Sequence, residues 1–134
     1  MNKQKIWCSG GCHCTAVQFR VRLDVSDLIG IECNCSICGK KGFLHCIVEP
    51  IDFTLVSGAE SLSSYRFNTK VAEHRFCVVC GIHSFYTPRS HPDKVDVNLR
   101  CVEGIELEKV PVQKFDGQHW ERNIAQLHQE VKKP

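Results

Sequence analysis

The segment Cys33-Asn34-Cys35-Ser36-Ile37-Cys38 carries three thiols within six residues. In an extended chain residues i and i+2 point to the same side, so Cys33 and Cys35 present their sulfurs together. A disulfide between them is disfavoured, because it needs Cα atoms at least ~4.4 Å apart and converging Cβ vectors. A metal ion has no such requirement. It can gather both sulfurs and take a third, from Cys38, out of the turn that follows. Three thiolates are one short of the four that close a structural zinc shell. The spacing therefore predicts a zinc ion with an open or exchangeable position. A thiol that reaches such a position is deprotonated by the metal, whereas a free thiol of pKa ~8.5 is mostly protonated at neutral pH. The chemistry on offer is thiolate chemistry. The plainer reading is a second scaffold site, completed by water and without turnover.

Two further spaced pairs remain, Cys12/Cys14 and Cys77/Cys80. Together they supply four sulfurs, enough for a closed tetrahedral shell. Cys77-Val78-Val79-Cys80-Gly81 has the form of a zinc knuckle, with Gly81 expected where a Cβ would hinder the turn beside the sulfur. Closing the long loop between the two pairs with a metal would feed binding energy directly into folding. A thioredoxin-type dithiol is the rival reading of Cys77/Cys80, but the βαβ setting it needs is missing. The pairing also has an alternative, in which the Cys33–Cys38 group borrows a ligand from either pair. Within the chain the candidates for its fourth ligand are His13, His45, Cys46, His74, His83 and Cys8. Cys46 and Cys101 sit among apolar neighbours and read as small buried hydrophobes, and Cys8 as a free thiol.

The elements that must hold these thiols are short. Val17, Phe19, Val21 and Leu23 alternate with polar residues and predict a half-buried strand over 16–23. Residues 28–33 read as a second strand that delivers Cys33 and Cys35 to its end. A tight turn over 36–42, with room for one helical turn, leads into a strand over 43–48 that stops before Pro50. Further short strands are expected over 53–56, 63–67, 72–77, 84–86 and 95–99, with an edge strand at 110–112. Gly10-Gly11 is expected to open a turn. From Asp116, a plausible N-cap, the residues Trp120, Ile124, Leu127 and Val131 fall on one helical stripe. The expectation is mainly β: many short antiparallel strands, thiols at strand ends and a C-terminal helix.

Composition agrees with one small globular domain. The 134 residues are 43% hydrophobic and 24% charged, which separates the chain from disordered sequences. A net charge of +2 is too weak to point to nucleic acid or an anionic membrane. No apolar run approaches the ~18 residues of a membrane span. Met1-Asn2-Lys3-Gln4-Lys5-Ile6-Trp7 lacks the apolar core of a secretory signal, so the expected location is the cytoplasm, or the nucleus in a eukaryote. Ten cysteines in such a setting suit metal better than a disulfide framework.

The ordered set Gly10-Gly11-Cys12-His13-Cys14, Cys33-Asn34-Cys35-Ser36-Ile37-Cys38 and Phe76-Cys77-x-x-Cys80-Gly81 resembles the glutathione-dependent formaldehyde-activating enzyme family. Tyr65-x-Phe67-Asn68-Thr69, His74-x-Phe76-Cys77 and Ser84-Phe85-Tyr86-Thr87-Pro88-Arg89-Ser90 bring it nearest the centromere protein V-like branch, the CENP-V/GFA domain. The resemblance covers about residues 8–123, a single domain, and leaves 124–134 as the end of the helix and a frayed tail. It implies an Mss4-like, or β-tent, fold of antiparallel sheets stapled by zinc. It implies two Zn²⁺ per chain: a structural one at Cys12, Cys14, Cys77 and Cys80, and a second at Cys33, Cys35 and Cys38. The family's enzymes are carbon–sulfur lyases that join glutathione and formaldehyde to S-hydroxymethylglutathione, or reverse that reaction.

The expected function is accordingly a zinc-dependent carbon–sulfur lyase acting on a glutathione-like thiol and a small carbonyl. Lys40, Lys41 and Arg89 are candidate partners for substrate carboxylates. Tyr65, His74, Ser84 and Tyr86 are candidates to orient or protonate the adduct, with core packing as the alternative role of each. The expected partner is a small-molecule thiol rather than membrane or nucleic acid. The competing function is a non-catalytic binding module scaffolded by zinc. A thiol redox or metal-handling role is a third reading.

Overall fold

The structure of the chain is a computed structural model that describes residues 4–67 and 72–119. The alternation around Phe19 is realised as β2 (Gln18–Leu23), with Val17, Phe19, Val21 and Leu23 all buried. β2 lies at the centre of a three-stranded antiparallel sheet, between β1 (Ile6–Gly11) and β5 (Phe53–Ser57). The Gly10-Gly11 pair does not open a turn; it ends β1, paired with Phe19 and Gln18. Glycine is required at position 10 because a Cβ there would run into the Phe19 ring and come within 2.7 Å of the Cys101 carbonyl oxygen. The turn comes later, over residues 12–15, where Thr15 adopts φ 68° and Cys12 N–H donates to Val17 O.

A five-stranded sheet faces this one, in the order β10-β3-β4-β9-β8. Its members are β3 (Gly30–Cys33), β4 (Leu44–Val48), β8 (Phe85–Tyr86), β9 (Val95–Asn98) and β10 (Val112–Phe115). All pairings are antiparallel except β10 with β3, which is parallel. The edge strand expected at 110–112 is thus displaced towards the C-terminus, and Pro111 accepts from Gly30 N–H just ahead of it.

Period-two alternation divides the residues of this sheet between two jobs. Leu44, Phe85 and Val97 belong to the hydrophobic core shared with the three-stranded sheet, joined by Cys46, Val48 and Val95 at its margin. Phe19 sits 5.4 Å from Phe53 and 6.2 Å from Phe85, ring centre to ring centre, and ties the two sheets together. The intervening residues Ile31, Cys33, His45, Ile47, Tyr86 and Asp96 line a cavity instead. A two-stranded hairpin, β6 (Leu62–Tyr65) with β7 (His74–Cys77), joins β8 through a bridge between Glu73 and Thr87.

The one helical turn expected after Cys35 is present as α1 (Cys38–Lys41), ended by Gly42 at φ 67°. Gly117–His119 forms a 3₁₀ turn after β10. The C-terminal helix expected to carry Trp120, Ile124, Leu127 and Val131 lies outside the described residues. All ten cysteines are free thiols, in keeping with the metal reading of their spacing. Among the described residues no helix is long and apolar enough to cross a membrane.

Candidate metal centres and the adjoining cavity

The sulfurs of Cys12, Cys14, Cys77 and Cys80 converge, all within 4.8 Å of one another. Cys14 Sγ lies 3.6 Å from both Cys12 Sγ and Cys77 Sγ. Zinc–sulfur bonds of ~2.3 Å at tetrahedral angles place sulfurs ~3.8 Å apart, so the four fit that ion. The turn after β2's partner and the knuckle after β7 each supply amides as well as thiols. Val17 N–H donates to Cys12 Sγ at 3.3 Å. The Cys80 amide lowers the pKa of the buried Cys77 thiol. Burial opposes ionisation of Cys80, but amides of Cys14 and Ile82 outweigh it and bring the thiol down to about 6. Such amide donors favour thiolate, the form a metal takes. Gly81 has open space around its Cα, so crowding is not its reason; it stands at φ 77° and sends its N–H back to Cys77 O.

The sulfurs of Cys33, Cys35 and Cys38 form the second cluster, also within 4.8 Å of each other. Cys33 ends β3, Cys35 lies in the loop and Cys38 starts α1, whose N–H donates to Cys35 Sγ at 3.4 Å. Hydrogen bonds from Cys33 and then Cys38 pull Cys35 down to about 2. The bond to Cys35 pushes Cys33 up to about 11, and contacts with both neighbours push Cys38 up further. Negative charges this close oppose one another, and a zinc ion would compensate that repulsion.

No other histidine, cysteine or carboxylate among the described residues joins this triad. The candidates for a fourth ligand are accounted for elsewhere. Cys8 and Cys46 pack with the core, His13 is exposed, and Cys46 is pushed up to about 12 by burial. His83 packs at a tilt against Phe76, with ring centres 5.4 Å apart. His45 and His74 face the cavity but make other bonds.

That cavity, of about 430 Å³, opens beside the triad and is lined by all three of its cysteines. Ile31, Ile37, Ile47, Phe67, Phe115 and Pro88 give it apolar walls, and Arg89 is its permanently charged member. His74 stacks on Tyr86 at 4.7 Å and on Phe67 at 5.7 Å. Lys41 Nζ lies 3.1 Å from His74 Nδ1 and 4.1 Å from the centre of the Tyr86 ring. Burial, then the nearby Lys41 charge, lowers His74 to about 4, and burial lowers Lys41 too. The phenol of Tyr86 is raised by burial and by Asp96.

Of the other residues named from sequence, Lys40 and Tyr65 are exposed, and Ser84 is buried without lining the cavity. Sequence reasoning did not single out Asp96, Phe115 or Gly117. A Cβ at Gly117 would strike Cys33 Sγ and stand 2.9 Å from Cys35 Cβ, so the 3₁₀ turn is pressed against the triad. Gln118 N–H donates to Asn34 Oδ1 at 3.0 Å and holds it there. An isolated Gly after a strand was the one available signal.

A sequence model of the family described as glutathione-dependent formaldehyde-activating enzyme matches residues 7–118. A crystal structure of a Rhodobacter sphaeroides protein, a structural-genomics target, is similar at a TM-score of 0.69 and 36% sequence identity. The match spans 78% of this chain and 99% of that one.

Proposed function

Because this chain belongs to the glutathione-dependent formaldehyde-activating enzyme family, we propose that it makes and breaks a carbon–sulfur bond between a glutathione-like thiol and a small carbonyl compound. The observation that carries this reading is the three-sulfur cluster, without a fourth donor among the described residues, at the wall of a 430 Å³ cavity.

The soft, three-thiolate donor set of Cys33, Cys35 and Cys38 suits zinc, which when bound would acidify a thiol and polarise a carbonyl. The Cys12, Cys14, Cys77 and Cys80 cage would hold a second zinc as a staple between the β1–β2 turn and the knuckle. The remaining roles belong to the chain. Phe67, Phe115 and the isoleucines keep water from the reacting sulfur. Arg89 offers a charge for a carboxylate such as those of glutathione. His74, held neutral beside Lys41, keeps a second positive charge out of the pocket.

The test is exchange NMR on the zinc-loaded protein with glutathione and ¹³C-formaldehyde. Adduct exchange should be accelerated over the protein-free mixture, and Cys35→Ser should abolish the acceleration. Exchange at the protein-free rate, unaffected by Cys35→Ser, would leave a zinc-scaffolded binding module as the better description.

A further inference from the structure

His45 and Asp96 sit side by side on the cavity face of the five-stranded sheet. The β4–β9 register pairs Ile47 with Asp96 and His45 with Asn98, so both side chains project to the same side as Cys33 on β3. Both are buried: His45 is 4% exposed and Asp96 1%. His45 Nδ1 lies 2.6 Å from Asp96 Oδ2. Tyr86 closes the pair from β8, its hydroxyl 3.5 Å from the same ring nitrogen. Both residues line the cavity that the triad also lines.

The other edge of the imidazole is the unusual part. Among the described residues His45 Nε2 is buried and has no hydrogen-bond partner. Buried polar atoms are nearly always paired, by protein or by a bound molecule. His83 Nδ1 is likewise buried without a partner, but it does not line the cavity, whereas His45 does. In His45 a carboxylate at 2.6 Å fixes Nδ1 as the donor, and in the neutral ring Nε2 is then an acceptor with nothing to accept from. The nearby His74 is not equivalent, because its Nδ1 already faces Lys41.

We propose that His45 Nε2 is the proton carrier of the cavity, and that Asp96 is the residue that positions it. This rests on the thiol–carbonyl reading above. In the forward direction Nε2 takes the thiol proton as the sulfur becomes thiolate. The sulfur lone pair forms the C–S bond to the carbonyl carbon, and the C=O π pair moves to oxygen. Nε2–H then returns the proton to that oxygen, giving the hydroxyl of the hemithioacetal. In reverse, Nε2 takes the hydroxyl proton as the carbonyl re-forms and the C–S pair returns to sulfur, and Nε2–H then gives the proton to that sulfur. Atoms and charge balance with no further reactant. Asp96 accepts from Nδ1–H throughout, which keeps the lone pair on Nε2 and supports the imidazolium that forms briefly.

Two measurements on the zinc-loaded full chain test this. ¹⁵N-imidazole NMR, with His45 assigned by its loss in His45→Gln, should show Nδ1 protonated and Nε2 bare in the resting protein. Asp96→Asn should shift that tautomer balance and slow adduct exchange with it, and the slowing is an effect that a purely structural bond does not predict. A resting His45 protonated at Nε2, alone or together with Nδ1, would overturn the proposal. In exchange NMR, His45→Gln should slow adduct exchange about 10²-fold while zinc content and glutathione affinity stay within about threefold of wild type. His45→Asn covers the case in which the glutamine variant folds poorly. Wild-type acceleration with full rate in both variants would remove the proton-carrier role and leave the thiol–carbonyl function standing. No acceleration by the wild type would remove both.

Discussion

Gly117 packs its bare Cα against the sulfur of Cys33, closely enough that no side chain fits between them. The contact joins a turn after the last strand of the five-stranded sheet to the centre of the three-thiol cluster. β10 runs parallel to β3 with Phe115 paired to Cys33, so the chain leaving β10 passes beside the cluster. Asn34 reinforces the crossing from both sides, donating its N–H to Phe115 O and accepting from Gln118 N–H.

Gly117→Ala should therefore damage the second metal site and little else. The added methyl must displace Cys33 or Cys35, and ligand displacement of this kind typically costs 10- to 100-fold in metal affinity. We expect zinc content to fall from about two per chain towards one under dialysis against a weak chelator. Circular dichroism should be unchanged. Two firmly held zinc ions in the variant would show that the turn yields without touching the triad.

The two clusters should respond oppositely to loss of one thiol. Cys77 is fully buried, and its cage links segments more than sixty positions apart in sequence. Cys77→Ser should unfold the domain, because the metal's binding energy is part of its folding energy. Cys38→Ser should leave a folded chain with one zinc. Thermal melts together with metal counting separate the cases, and matching melts for both variants would contradict the division of roles.

The three cysteine motifs were legible in the sequence because each is a local spacing, whereas the grouping of Cys12 and Cys14 with Cys77 and Cys80 was one of two left open there, and the fold is what brings these four together. The strand carrying Phe19 was legible for a similar reason, since alternation is a local pattern. β1 was not: after Ile6 and Trp7 the run Cys8-Ser9-Gly10-Gly11 offers no β-branched residue and two glycines, and it is held as a strand by pairing with β2. The same limit hid Asp96. In Val95-Asp96-Val97-Asn98 the polar positions read as the solvent face, yet Asp96 is buried and shares a cavity lining with Phe67 and Gly117. His45 was noticed as a possible metal ligand, but only the β4–β9 register reveals its bond to a carboxylate instead. Such pairings are decided by which strands meet, and nothing within either strand announces it.

Phe19 should be the most costly apolar residue to truncate. It is 1% exposed and contacts aromatic rings from both large sheets. Phe19→Ala should destabilise by about 3–5 kcal/mol, the range for a buried phenylalanine replaced by alanine. Urea titration of the zinc-saturated protein measures this. A loss below about 1 kcal/mol would mean that Gly10 and its neighbours collapse into the space.

Stability should fall on mild acidification, through His74 and His83. Burial, then the charge of Lys41, holds both near pKa 4 in the fold, below the ~6.5 of an unfolded histidine. A depressed folded pKa means the unfolded chain binds more protons between those values, so unfolding free energy rises with pH across that window. The contribution is complete above about pH 6.5 and is lost as pH drops towards 4. Acid also releases zinc from thiolates, so the informative quantity is the difference between wild type and His74→Gln under saturating zinc. Near pH 5 the wild type should take up roughly one more proton on unfolding than the variant, read from the pH dependence of urea midpoints. Identical slopes for the two proteins would show that His74 is protonated as easily in the fold as in the open chain, and that Lys41 does not share its charge with that ring.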